Sequence, residues 1–293
     1  MKKIIFNIAG GMGKNIIATG VVKLIAKHYP DHKIYVTSPY EEIWRHNPLV
    51  TETISIEKSP NFIRDSIKDP ETIVFRHDPY HTSDFAYQKT HMIEIWAKIC
   101  GVPYEDSVMP ELFFTDTELA DAKRLIGDQK NLFIQTSGGA PNQEFPISWT
   151  RDLPIPTAQK VVDEAIKRGY KVFHIRRENQ IPLENTTLLN RPIREVLAAM
   201  HFSTKRLLID SIAEHAAAAI GKPSIVCWVG NRPEVFSYKI HTNILPVAKE
   251  QFRHRIDSYF DLYNITGALH ECPYDTNMIF DEKKIISELF GKE

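Results

Sequence analysis

Short apolar runs alternate with segments of helical period along the whole chain, and the alternation starts afresh near the middle. Residues 3–9 form an apolar run of strand length that ends in Gly10-Gly11-Met12-Gly13. Residues 15–28 then carry Ile16, Ile17, Val21, Leu24 and Ile25 at helical spacing, and Tyr29-Pro30 stops them. Residues 33–37, 51–56 and 72–75 read as strands, and 90–100 as a helix closed by Gly101 and Pro103. An acidic helix over 116–125 precedes a polar boundary at 127–130. The pattern restarts with a strand at 132–135, which ends in Thr136-Ser137-Gly138-Gly139, and a proline-rich loop over 140–156. Helices at 157–168, 194–200 and 212–220 alternate with strands at 171–175, 206–209 and 224–228, and residues 281–290 make a last helix. Such alternation implies parallel sheets covered by helices on both faces. The sequence therefore predicts an α/β chain of two Rossmann-like domains, residues 1–127 and 128–293, facing a central cleft. The last helix has the option of packing back on the first domain.

Composition narrows the partners. The 293 residues carry 36 basic and 37 acidic side chains, a net charge of -1, which favours neither nucleic acid nor an anionic membrane. Cys100, Cys227 and Cys272 form no C-x-x-C pair, and their odd number argues against a disulfide framework. Each reads as a small buried hydrophobe in a reducing compartment, so a cytoplasmic location is expected. The opening Met-Lys-Lys and its few apolar residues read as a first strand and not a signal peptide. No apolar run is long enough to cross a membrane.

In open parallel sheets ligands bind beyond the carboxyl ends of the strands, so the residues just after each strand carry the functional reading. Gly10-Gly11-Met12-Gly13-Lys14-Asn15 is the first such segment. Its glycines allow close backbone approach, and the helix behind them favours an anion. It has two functional readings beside a plain glycine turn. As a deviant P-loop, Lys14 would contact phosphate, but Asn15 stands where a Ser or Thr would hold magnesium and Ile8 where the first glycine belongs. As the cleft wall of a sugar-transferring enzyme, Gly11, Gly13 and Lys14 would meet an acceptor or a phosphate.

The second segment is Asp210-Ser211-Ile212-Ala213-Glu214-His215, followed by Ala216-Ala217-Ala218-Ala219-Ile220-Gly221-Lys222-Pro223. It puts an acid and a hydroxyl at a helix N-terminus, where free N–H groups can hold a diphosphate. Simple N-capping by Asp210 or Ser211 explains the same residues.

This ordered set resembles glycosyltransferase family 9, the ADP-heptose–lipopolysaccharide heptosyltransferases and their relatives. The resemblance rests on Asp210, Ser211 and His215 in register with Gly221-Lys222-Pro223, and on the N-terminal strand, Gly-x-Gly turn and helix. Tyr29-Pro30-Asp31, Asn47-Pro48-x-Val50, Thr136-Ser137-Gly138-Gly139, Trp149 and the closing helix extend it over nearly the whole chain. It implies the GT-B fold, a nucleotide-diphosphate sugar held by the C-terminal domain, inversion at the anomeric carbon and no essential metal or cofactor. By the same resemblance Thr136, Ser137, Gly138, Asp210, Ser211 and His215 would contact the donor, and Arg176 could add positive charge. The acceptor would be the hydroxyl of a glycan or a lipopolysaccharide-like molecule. A nucleic-acid acceptor, as in phage nucleobase glycosyltransferases, is not favoured by the net charge. A P-loop ATPase-like nucleotide binder and a non-catalytic nucleotide-sugar binding protein are the alternatives from other classes.

Two positions depart from the family. Ile212 replaces a glycine, and isoleucine disfavours positive φ. Lys14 replaces the aspartate proposed to deprotonate the acceptor, and a protonated lysine cannot inherit that role. The run His77-Asp78-Pro79-Tyr80-His81-Thr82-Ser83-Asp84 follows a strand and offers replacements. A general base needs a pKa near the working pH, which makes Asp78, His77 and Asp84 the catalytic candidates. No metal-ligand set is evident, since His91 stands too far along the next helix.

Overall fold

The computed structural model describes residues 2–138, 151–247 and 279–291. Gly139, Trp149 and Cys272 lie outside them. The first half runs β1 (Lys3–Asn7), α1 (Met12–His28), β2 (Lys33–Thr37), α2 (Glu41–Trp44), β3 (Glu52–Ile54), α3 (Phe62–Ser66), β4 (Thr72–Phe75), α4 (Ser83–Ala86), α5 (Met92–Ile99) and α6 (Asp116–Ile126). The second half runs β5 (Asn131–Gln135), α7 (Ile155–Lys167), β6 (Lys171–Ile175), β7 (Thr187–Leu188), α8 (Ile193–Ala199), β8 (Lys205–Ile209), α9 (Ile212–Ala219), β9 (Ile225–Cys227), α10 (Pro233–Phe236), β10 (Thr242–Ile244) and α11 (Glu282–Phe290).

Each half builds one parallel sheet, in the orders β3-β2-β1-β4 and β10-β9-β8-β5-β6-β7. The central strands are apolar without alternation. β1 (KIIFN) buries its three middle residues, and β5 (NLFIQ) is buried throughout, as strands covered on both faces must be. The short edge strands β7 and β10 escape the sequence pattern because too few residues repeat to show a period.

Helix α1 is apolar nearly all round and buries residues on every side, including Ile16, Ile17, Val21 and Leu24. A helix of that kind must be covered on both flanks. It lies between its own sheet and α9 of the second half, whose alanines permit close approach. One apolar core accordingly runs from Ile4 and Phe6 through Ile16 and Ala217 to Phe133 and Trp228. A second core lies on the far side of the second sheet, where Ile285 and Leu289 of α11 join Val161 and Val162 of α7. The last helix thus packs on the second half, tied by Glu282 to Lys160 at 2.7 Å. Residues 15–28 predict the first helix three residues short, because Met12, Gly13 and Lys14 already belong to its first turn.

Polar ties join the halves at the rim. Arg194 on α8 donates to the Glu118 carboxylate and to the carbonyls of Glu42 (2.9 Å) and Phe113, and its guanidinium lies 4.8 Å from the Phe114 ring. Glu118 in turn closes a capping box with Thr115, and the Arg194 bond holds its carboxyl down at about 2. No helix among the described residues is long and apolar enough to cross a membrane.

Candidate active site

The N-terminal turns of α1 and α9 meet. A Cβ on Gly13 would stand 3.0 Å from Cδ2 of His215 and 3.7 Å from Cα of Ile212, so a side chain there would crowd the His215 ring. Two helix N-termini, whose first N–H groups have no partner within the helix and mark the positive dipole end, therefore converge on one region. Gly11 is the α1 N-cap, with open space where its side chain would be. Ser211 is the extended α9 N-cap, and it makes no side-chain cap bond. Ile212 is the first helical residue, so its position demands no positive φ.

Gly10 takes φ +103, and a Cβ there would come 3.0 Å from Cδ of Lys14. That leaves room for Lys14 to fold back across the turn. Its Nζ donates to Asp78 Oδ2 at 2.6 Å and sits 4.3 Å from the Tyr80 ring centroid and 5.7 Å from that of Trp96. Only 3% of the Lys14 side chain is exposed, against 26% for Asp78. Burial lowers the Lys14 pKa from 10.5, and Asp78 opposes the shift. The second oxygen of Asp78, Oδ1, accepts from the Tyr80 N–H at 3.0 Å in the turn beyond β4. Sequence reasoning names Lys14 and Asp78 separately, and the fold brings them together across 64 residues. The Walker-like reading needs a lysine free for phosphate, and this one is committed to a carboxylate and two rings. Asn15 is buried too. Its Oδ1 accepts from Ser38 Oγ at 2.6 Å and Trp44 Nε1 at 3.1 Å, a structural bridge with no vacancy for magnesium.

The neighbouring candidates are more open to solvent. His77 is exposed. Asp84, half exposed, pairs with Lys98 at 3.3 Å on the outside of α5.

In the second half, Thr136 is fully buried and its hydroxyl shares a 2.9 Å bond with His174, so it fixes the end of β5. Burial, and then Arg176, lower the His174 pKa to about 4. Gln135 ties β5 to the α9 cap, its Nε2 donating to the Ser137 carbonyl and to Ser211 Oγ, both at 3.3 Å. The Gly138 N–H donates to Asp152 Oδ1 at 2.9 Å. Burial raises Asp152 to about 6, with Gly138 and Ser137 opposing. A Cβ on Gly138 would lie 3.3 Å from Cδ of Arg151 and 3.5 Å from Ser211 Oγ, which sets a guanidinium side chain beside the α9 cap. Arg176 is differently used. Its Nη1 donates to the carbonyls of Arg177, Glu178 and Gln180 and holds the loop after β6.

Asp210, at the end of β8, is 5% exposed and accepts from Asn231 Nδ2. His215 is enclosed. Its Nδ1 lies 3.2 Å from the Tyr238 hydroxyl and 2.8 Å from Glu214 Oε1. Burial lowers His215 to about 4, so it is a neutral imidazole at neutral pH. Burial raises Glu214 to about 8 despite His241, whose Nε2 stands 3.5 Å from Glu214 Oε2. Asp210, Glu214 and His215 bring ligand atoms within 4.8 Å of one another, the one grouping among the described residues with the makings of a cation site. Asn231 already occupies one Asp210 oxygen and Tyr238 faces His215 Nδ1, whereas neither buried Glu214 oxygen has a hydrogen-bond partner among the described residues.

Sequence reasoning missed Arg151, Asp152, Asn231 and Glu214. Arg151 and Asp152 close the proline-rich loop, where no period marks them. Asn231 follows β9, and the rule that picked out Asp210 after β8 applies to it equally. Glu214 stands beside His215 in an alanine-rich helix, and only the packing of α9 shows that it faces inward.

No protein-family model matches the sequence, and no curated protein does. Solved structures do. Escherichia coli ADP-heptose lipopolysaccharide heptosyltransferase II superposes with TM-score 0.65 at 14% identity, over 91% of this chain and 95% of its own. A glycosyl transferase family 9 protein of Veillonella parvula gives 0.69 at 14% identity, over 98% and 95%. The iron-containing dodecameric glycosyltransferase TibC of enterotoxigenic E. coli gives 0.67 at 13% identity, over 97% and 74%, and its complex with ADP-D-β-D-heptose matches as well. The chain has the two-domain GT-B fold of the family 9 heptosyltransferases.

Proposed function

We propose that this protein is a glycosyltransferase that moves a sugar from a nucleoside-diphosphate sugar to an acceptor hydroxyl, with inversion and without an essential metal. The observation that carries the reading is the Lys14–Asp78 pair, placed next to the junction of the α1 and α9 N-termini. The carboxylate expected at position 14 is absent from α1, and a carboxylate from the end of β4 is held against the lysine that replaces it. Asp78 keeps a quarter of its side chain open, so it serves as the general base on the acceptor hydroxyl. Lys14 positions it.

The donor belongs to the second domain. The free N–H groups at the start of α9 and the nearby Arg151 receive the diphosphate, whose charge grows as the glycosidic bond breaks. Fixed N–H groups and a guanidinium supply there the stabilisation that a metal supplies in other transferases. Ser211 and Asp210 orient the donor, and neutral His215 closes the wall beside Gly13. Bond breaking at the anomeric carbon and attack from the opposite face, with the proton passing to Asp78, give inversion. Because one matched structure is a complex with ADP-D-β-D-heptose and another is named an ADP-heptose lipopolysaccharide heptosyltransferase, an ADP-sugar is the first donor to try, and a lipopolysaccharide-like glycan the first acceptor. Cys100 and Cys227 are buried free thiols, in keeping with a cytoplasmic enzyme.

A thermal-shift screen against ADP-, UDP-, GDP- and CMP-sugars, in EDTA and in magnesium, tests the reading, because a ligand specific to the folded state raises Tm. One nucleotide sugar is expected to stabilise the protein equally in both, with the effect lost in Asp210→Ala. Asp78→Ala should then bind that sugar nucleotide but not transfer the sugar. Stabilisation that requires magnesium would remove the metal-free mechanism. Binding without transfer to any hydroxyl would make the protein a non-catalytic sugar-nucleotide binder.

A further inference from the structure

Gln88 follows α4 in the first domain, yet both ends of its carboxamide are used in the second. It is 1% exposed and holds the uncommon φ of +50 for a residue other than glycine. Its Oε1 accepts from the Arg232 N–H at 2.9 Å, and its Nε2 donates to Asn231 Oδ1 at 3.3 Å. Asn231 Nδ2 donates to Asp210 Oδ2. We propose that Gln88 is an interdomain positioning residue of the donor site, acting through Asn231 to set the Asp210 carboxylate. The proposal rests on the nucleotide-sugar reading of Asp210.

The direction of this chain is fixed from both ends. A backbone N–H can only donate, so Arg232 forces Gln88 to present its oxygen there and its NH2 group to Asn231. A carboxylate can only accept, so Asp210 forces Asn231 to present its NH2 group there and its oxygen to Gln88. The two requirements agree, and Gln88, Asn231 and Asp210 are all buried, where a satisfied network is rigid and a reversed one is costly. One segment of the first domain thereby serves both halves of the site. Asp78 at its start stands against Lys14, and Gln88 at its end reaches Asp210. Between them Tyr80 stacks on Phe85 at 4.5 Å, and Phe85 meets Phe236 of the second domain edge-on at 5.9 Å. Separation of the domains would break both Gln88 bonds, so the relay to Asp210 is complete only when the domains are closed.

The test is a double-mutant cycle on nucleoside-diphosphate affinity, with ADP and UDP as probes in calorimetry. Gln88→Met keeps the length and removes the bonds, and Asn231→Leu removes the middle link. Each should weaken binding of the preferred nucleotide about tenfold, the effect of losing one hydrogen bond to a charged group. The double variant should be no weaker than either single one, since all three break the same chain. A side chain that merely supports folding would change Tm without coupling to Asn231 in ligand affinity. Gln88→Glu carries the same test if Gln88→Met does not fold. Its carboxylate can only accept, so it turns the Asn231 oxygen toward Asp210, and a loss at least as large is expected. Wild-type binding with both Gln88 variants unaffected, or additive losses in the double variant, overturns the relay alone. Failure of the wild type to bind any nucleoside diphosphate overturns the donor reading and the relay with it.

Discussion

Replacing Asp78 by Asn leaves the Lys14 ammonium buried with no counter-charge, whereas replacing Lys14 by Met leaves a carboxylate that still touches water. The side-chain exposures, 3% for Lys14 and 26% for Asp78, make the two substitutions unequal. Breaking a buried pair so that the charge stays inside costs about 3 kcal/mol, and the Tyr80 and Trp96 rings return only part of that. The reverse truncation resembles loss of a partly solvated pair and costs about 1 kcal/mol. For a chain of this size Tm falls by about 2–4 °C per kcal/mol, so Asp78→Asn should lose about 6–12 °C and Lys14→Met about 2–4 °C. The double variant Lys14→Met with Asp78→Asn should recover most of the difference, because removing both charges removes the desolvation cost. The pH dependence has a definite sign. Lys14 has a folded pKa below 10.5, so between that lowered value and 10.5 the unfolded chain binds more protons and stability rises with pH. Asp78 opposes the lowering, so Asp78→Asn widens the window downward and its deficit should shrink as pH climbs toward 10.5. Thermal unfolding by circular dichroism at a series of pH values measures all of this. An Asp78→Asn loss smaller than that of Lys14→Met, or one that grows with pH, would refute the asymmetry.

Other expectations follow from single contacts. Gly13→Ala puts a methyl 3.0 Å from a His215 ring that Tyr238 and Phe236 already confine, so overpacking of about 1–3 kcal/mol should exceed the ~1 kcal/mol gained by helix propensity; denaturant unfolding together with nucleotide affinity checks it, and a gain in both would contradict the α1–α9 contact. Glu214 has a folded pKa of about 8 against an ordinary 4.5, so the native state holds an extra proton between those values and stability falls as pH rises through them. Glu214→Gln should therefore flatten the Tm profile over that range and be the more stable protein at its upper end. Asp84→Ala removes only an exposed pair with Lys98 and should change stability by less than about 0.5 kcal/mol and leave sugar transfer intact; loss of transfer would return Asp84 to the catalytic candidates. Asp210→Asn should weaken nucleoside-diphosphate binding about tenfold or more, read by calorimetry.

The sequence by itself determined the architecture and the strand ends that matter. Apolar runs of strand length between helical-period segments leave little besides parallel sheets covered on both faces, and the restart near Leu132 gave two of them. Glycines at 10, 11 and 13 and the Asp210-Ser211 step were legible because backbone geometry at a strand-to-helix turn restricts residue type locally. The sequence also marked Lys14 as a departure from the family pattern and offered Asp78, His77 and Asp84, in the run after β4, as replacements. Only the tertiary structure decided which of Asp78, His77 and Asp84 meets Lys14, because that depends on how β1 and β4 lie side by side and not on spacing along the chain. It likewise decided that Thr136 bonds His174, that Arg176 holds its own loop backbone, that Glu214 points inward, and that Gln88 crosses to Asn231 beside Asp210. Burial and partner choice are properties of packed surfaces. An Asp on the rim and an Asp against a buried lysine are the same letter until the two helices and two sheets close around them.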